Sequence, residues 1–326
     1  MIIMEEKLLK LMDSAMLKNA KYDISKILRE NKEKRFNKIL MESYGSFPAQ
    51  YQIAKNISNK LIQKFVNREF TQKNNEYTVT LDDNSPSFGN VIYKLTWVYA
   101  DNDAEKEVKG NSYYDNGKHI VNLSVITKKL YKPEMVGTIA HEIMHVFQRT
   151  LDKVHGVNEK SMLLYQECLG FMHDSVSIFS EYFFYGLYIC FSFEAAANIS
   201  SVANYMERYF AGWDFLKIKS KDYSKALIEN QKYNNYQTVL NILTNTQPTY
   251  EDKKYITECM TTPIVSNIDG NEHIIYNSDN FNVDIFIEKN VKNICKVCQE
   301  TMDKMKNNIM VYVEDEQEKL KNNLKK

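Results

Sequence analysis

The sequence predicts an α+β fold: a small, mostly antiparallel sheet beside one histidine-bearing helix, with many helices around them. Three observations lead there. Ten glycines and five prolines in 326 residues leave few turn formers, where average usage of the two together is about 12%, and the many Leu, Lys, Glu and Met favour long helices. Strand-type segments rich in Val, Ile, Tyr and Thr lie close together between residues 76 and 124. Apolar residues recur at helical spacing on both sides of that stretch.

Taken in order, residues 4–72 read as helices, with apolar positions at Leu8, Leu9, Met12 and Met16 and again at Ile53, Ile57, Leu61 and Phe65. Ser46-Phe47-Pro48 breaks them. EYTVTLDD (76–83) alternates as a strand, NSPSFGN (84–90) is a loop, and VIYKLTWVYA (91–100) is a second strand. Asp115-Asn116-Gly117 signals a turn before a third strand, His119 to Ser124. Pro133 and Glu134 suit a first helical turn, and that helix should run through GTIAHEIMHVFQRTLDK to about Lys153. Two or three further helices cover Glu159 to about Phe215, and Asp222 to Asn245 is also helical. A hairpin fits residues 264–276, turning at Asp269-Gly270. The last helix starts near Val283 with one apolar stripe: Ile287, Val291, Ile294, Cys298, Met302, Met305 and Ile309. EDEQEKLKNNLKK (314–326) is expected to be a solvated, fraying end.

Bulk composition narrows the function. Lys plus Arg equals Asp plus Glu at 42 each, so no global electrostatic footprint points to nucleic acid or an anionic membrane. Five cysteines, an odd number, do not form a disulfide framework. The opening MIIMEEKLLKLMDS puts charges where a signal peptide needs an apolar run. A cytoplasmic home is therefore expected. The apolar run Val176 to Phe193 sits at the lower length limit of a spanning helix. Its three serines and Glu181 favour a buried core helix, so no membrane association is expected.

His141-Glu142-Ile143-Met144-His145 carries the chemistry. Positions i and i+4 of a helix lie one above the other on one face, so the two imidazoles can converge on one small cation. Zinc prefers such nitrogen ligands. Glu142 is rotated away from the direct ligand direction yet can reach water at the metal, which is where a general base belongs. Ile139, Ala140, Ile143, Met144, Val146 and Phe147 make the surroundings apolar, and histidines on a mostly buried helix need polar partners.

The segment GTIAHEIMHVFQ (137–148) resembles the active-site helix of the zincin metallopeptidases. The resemblance implies a zincin-type fold over 76–215, a zinc cofactor, and hydrolysis of peptide or protein substrates by water with Glu142 as general base. It leaves 1–75 as an N-terminal helical region and 216–326 as a mostly helical C-terminal region. It also implies that the strand before the helix, His119 to Ser124, forms the cleft rim on which a peptide pairs. Gln148 and Leu151 stand where the metzincin pattern needs Gly and a third His, which excludes that subfamily. The gluzincin pattern takes its third ligand from a downstream helix, and the best match is Glu194 in FEAAANIS (193–200).

Physical chemistry supports Glu194 as the third ligand. A charge closing an apolar run is costly unless paired or metal-bound, and Ala195, Ala196 and Ala197 let the helix approach a neighbour closely. Asn198 lies one turn on, where gluzincins often place an acid that supports a ligand histidine; its carbonyl can still accept an imidazole N–H. Glu181, His173 and Asp174 are rivals, and His155 points nearly opposite the metal face. For an oxyanion the candidates Tyr185, Tyr205, Tyr209 and His173 stay open; Tyr205 is eleven residues from Glu194, roughly 16 Å along a helix. Cys295-Lys296-Val297-Cys298 reads as ordinary buried cysteines. The alternative to an enzyme is a zincin-fold protein that binds a partner, its metal structural or vestigial.

Overall fold

The computed structural model describes residues 46–85, 89–99, 107–127, 132–155, 167–262, 264–268, 271–276 and 281–324. Helix α1 (Ser46–Val66) leads into strands β1 (Thr71–Lys73), β2 (Glu76–Ser85), β3 (Gly89–Tyr99), β4 (Glu107–Asp115) and β5 (Lys118–Thr127). Helix α2 (Lys132–His155) follows. Residues 167–173 are helical, and α3 (Ile178–Ile189), α4 (Ser192–Tyr209), a 3-10 turn (Phe215–Lys217), α5 (Ser220–Glu229), α6 (Gln231–Asn245) and α7 (Tyr250–Thr261) come next. A hairpin, β6 (Ile264–Ile268) and β7 (Asn271–Tyr276), precedes α8 (Val283–Leu324).

The sheet runs in the order β1-β2-β3-β5-β4. Its pairs are antiparallel except β3 with β5, which is parallel. The β4–β5 hairpin turns on Asn116 and Gly117 at φ 45° and 81°, the double positive φ of a tight primed turn that Asn-Gly adopts readily. Period-two alternation puts Val91, Tyr93 and Leu95 of β3 and Val121, Leu123 and Val125 of β5 on one face. That face is buried with Val79 of β2, with Ala54, Ile57 and Leu61 of α1, and with Met135, Val136, Ile139, Ala140, Ile143 and Val146 of α2. Thus α2 lies across the sheet with its apolar side down.

Several expectations change here. β4 falls in a stretch without a strand signal, and β3 begins inside the predicted loop 84–90. His119 to Ser124 is not a rim: β5 pairs with β3 on one side and β4 on the other, and β4 ends the sheet order. The helix before the sheet stops at Val66, where Arg68 turns left-handed at φ 62° and Glu69 N–H closes on Lys64 O at 2.8 Å. Residues 222–245 are helical as expected, in two helices: Asn230 ends α5 and its side chain accepts from Tyr233 N–H at 3.1 Å to start α6. The C-terminal stretch stays helical to Leu324, tied at Gln317, whose amide donates to Phe215 O at 2.8 Å. The expected helices of 1–45 and the turn at 269–270 lie outside the described residues.

The run Val176 to Phe193 divides between α3 and the start of α4, with the corner at Cys190 and Phe191. Phe179, Phe183, Phe184 and Leu187 of α3 are buried. No helix among the described residues is long and apolar enough to cross a membrane.

The chain forms two compact units that interleave along the sequence. Of the described residues, one unit holds 167–195 and 234–303; the other holds the sheet, α2, 196–233 and 304–324. In the first, α3 packs on α6 and α8 through Gly186, where a Cβ would stand 2.8 Å from Ile294 and 3.0 Å from Val239. The division falls inside α4 after Ala195, so the first turn of α4 runs on without a break into Ala196–Tyr209 of the second unit.

Candidate metal centre

Helix α2 supplies His141, Glu142 and His145. It also touches α4. A Cβ on Gly137 would stand 3.0 Å from Ser201 O, 3.2 Å from Ser201 Oγ and 3.3 Å from Tyr205 Cβ, so the two helices touch backbone to backbone at that level. Moving from Gly137 to His145 climbs about 12 Å along α2, and moving back from Ser201 to Glu194 covers about 10.5 Å along α4. Antiparallel helices in contact at Gly137 therefore bring the first turn of α4 beside the two histidines.

The side chains meet there. His141 Nε2 and His145 Nε2 stand 3.1 Å apart, their rings near perpendicular at 87°. Ligand atoms of His141, His145 and Glu194 all lie within 4.8 Å of one another. Two nitrogens bound tetrahedrally to zinc at about 2.0–2.1 Å would be roughly 3.3 Å apart, so the observed spacing fits such an ion. Two imidazoles and a carboxylate also form a donor set that first-row divalent ions accept. His141 and Glu194 are buried and His145 is half-buried. A carboxylate only 1% exposed, as Glu194 is, is stable in that setting when a cation or strong donors compensate its charge.

Glu142 is also buried, under β4. A Cβ on Gly110 would fall 2.6 Å from Glu142 Oε1, 2.8 Å from its Cγ and 2.9 Å from Thr138 Cγ2. The general-base candidate thus lies against the strand that ends the sheet, on the helix-facing side set by the pairing of Gly110 with Leu123. Sequence reasoning passed over Gly110. A glycine inside a strand marks close approach of another group, but that signal is usable only once 107–115 is known to be a strand.

The remaining candidates are placed as follows. Asn198 is buried one turn after Glu194 on α4. Glu181, His173 and Asp174 are exposed, and none belongs to the His141 group. His155 ends α2, and its side chain lies outside the described residues. Tyr205 is buried at the level of Gly137 and stacks on Tyr209 at 5.8 Å. Tyr185 accepts a hydrogen bond from Asn235 at 2.5 Å, and burial first and the Glu194 carboxylate second push its phenol above the ordinary range. Cys298 packs 3.9 Å from Cys190, and burial raises its thiol well above the usual value, as befits apolar core cysteines. Among the described residues, His141, His145 and Glu194 are the one group of His, Cys, Asp or Glu close enough to share an ion. Compared with known proteins, the chain matches no family description, no curated protein and no solved structure.

Proposed function

We propose that the chain is a zinc-dependent hydrolase of gluzincin type that cleaves peptide bonds in peptides or proteins. One observation carries the reading: the Nε2 atoms of two histidines one helical turn apart converge with the Glu194 carboxylate, on the helix that carries Glu142 next to His141 in sequence. His141, His145 and Glu194 would hold the ion. Three protein ligands among the described residues leave a coordination position open, the arrangement of a catalytic rather than a structural site. Zinc, when bound, supplies Lewis acidity that polarises a carbonyl and acidifies water.

The chain's own groups do the rest. Glu142 Oε1 takes a proton from the attacking water and returns it to the departing amine. Asn198, buried on the Glu194 helix, orients a ligand side chain.

Elemental analysis of protein purified without chelator tests the reading. About one zinc per chain is expected, and a His141→Ala, His145→Ala double variant should lose it. Glu142→Gln should keep the metal while hydrolysis of casein or of a mixed pool of quenched fluorescent peptides disappears, since an amide of the same size cannot accept the proton. Zinc bound without turnover in wild type or in any variant would instead favour a partner-binding protein with a structural ion.

A further inference from the structure

We propose that Gly110 is a positioning residue for Glu142: the missing side chain at 110 is what lets the general-base carboxylate sit under β4 in reach of the metal site. This rests on the hydrolase reading above.

The argument starts from why a glycine stands in β4 at all. Glycine in a strand packs nothing and adds conformational freedom to the unfolded chain, so it needs a reason. Backbone conformation is not the reason. Among the described residues the positive-φ glycines are Gly117 and Gly212, and Gly110 is not one of them, so other residues could adopt its backbone angles. Space is the reason. The three atoms nearest a Cβ at 110 are Glu142 Oε1, Glu142 Cγ and Thr138 Cγ2, at 2.6, 2.8 and 2.9 Å. Two belong to one carboxylate side chain and the third to the residue one turn before it on α2. Among the described residues the other tight glycines, Gly137 and Gly186, abut Ser201 and the Tyr205 Cβ or aliphatic side chains instead.

The clash is also of a telling kind. Glu142 Oε1 is the far end of a side chain with three torsions, so it can swing aside without moving α2 or β4. An alanine at 110 would therefore press first on the Glu142 side chain, at two of the three contacts, and next on the Thr138 methyl group, while His141, His145 and Glu194 are not among the atoms it meets. A base misplaced by about 1 Å loses on the order of 10²-fold in turnover.

The test uses the zinc-loaded full chain and acetohydroxamate, a small probe that chelates zinc and gives its proton to a neighbouring carboxylate. Calorimetric titration measures its affinity in wild type, Gly110→Ala, Glu142→Ala and the double variant, with zinc content determined for each. Gly110→Ala is expected to retain one zinc per chain and to bind acetohydroxamate roughly 10- to 100-fold more weakly, with kcat on the peptide pool falling and KM kept. In the Glu142→Ala background the same substitution should leave acetohydroxamate affinity unchanged, because the carboxylate it displaces is gone and the Thr138 methyl group is all that remains to be met. Equal acetohydroxamate affinity in wild type and Gly110→Ala would overturn the proposal, as would an equal further loss in the Glu142→Ala background. Should Gly110→Ala fail to fold, a double variant that folds supports the proposal and one that also fails refutes it. If wild type holds no zinc or ignores acetohydroxamate, the hydrolase reading itself has failed, a result distinct from any of these.

Discussion

Two buried glutamates face different neighbours, and their positions on helices account for the difference. Glu142 is one residue past a ligand on α2 and turns to β4; Glu194 opens α4 and turns to the histidines. Under the zinc reading, the Glu194 carboxylate oxygen should lie about 2.0–2.2 Å from the ion in a metal-loaded crystal. Glu194→Ala should weaken zinc sharply in competition titrations with a chromophoric chelator. Glu181→Ala should leave it unchanged, because Glu181 is exposed on α3. Asn198→Ala should cost about tenfold in affinity, the scale of groups that orient ligands without touching the metal. A titration in which Glu181→Ala does the damage would refute the choice of carboxylate. The HExxH motif and Glu194 could be picked out of the sequence because their chemistry is local: spacing fixes the helix face, and a charge after an apolar run needs compensation. Gly110 could not, because its meaning depends on a strand pairing.

Among the elements, the contact of α2 with α4 decides whether a site exists. Gly137→Ala would gain about 1 kcal/mol of helix propensity but drives a methyl group against the backbone oxygen of Ser201 at 3.0 Å, which cannot swing away. Overpacking costs about 1–3 kcal/mol, so the net should be destabilising, with weaker zinc binding as α4 moves out. Gly170→Ala is the control: a helical glycine with nothing within 4 Å of an added Cβ should stabilise slightly and leave zinc binding alone. Urea melts and zinc titrations of both variants check this. Further along α4, Glu207 faces a groove of about 280 Å³ lined also by Met206, Ile309, Tyr312 and Asp315. Burial first and the nearby Glu316 charge second raise its carboxyl to about 7. A raised acid binds more protons folded than unfolded, so stability falls as pH rises from the unfolded value near 4.5 through 7. Glu207→Gln should remove that fall, worth on the order of 2 kcal/mol, and be more stable than wild type at pH 8 but not at pH 4. Parallel melts at the two pH values measure it.

For the whole molecule, metal binding to the folded chain alone must appear as stability. Free zinc at 100 times its dissociation constant adds about 2.7 kcal/mol. Stripping the metal with a chelator should thus lower the melting temperature by about 5 °C or more. The His141→Ala, His145→Ala variant should melt at one temperature with and without zinc. A chelator shift as large in that variant as in wild type would place the relevant ion elsewhere.

By itself the sequence determined the parts whose cause is local. Period-two alternation marks β2, β3 and β5, Asn116-Gly117 marks the hairpin turn, and i, i+4 spacing sets His141 above His145 on α2. The mixture of a small sheet with many helices follows from these and from the scarcity of turn formers. Tertiary structure alone decided the rest. β4 is an exposed end strand with a glycine and few apolar residues, so burial writes no pattern into it, and only its pairing with β5 makes it a strand. That pairing put β5 inside the sheet and made 107–115, not the expected rim 119–124, the end strand. The meeting of Glu194 with two histidines about fifty residues away is likewise a product of antiparallel helix packing at Gly137. Propensity and periodicity say which face of a helix is apolar; they do not say which distant helix will cover it.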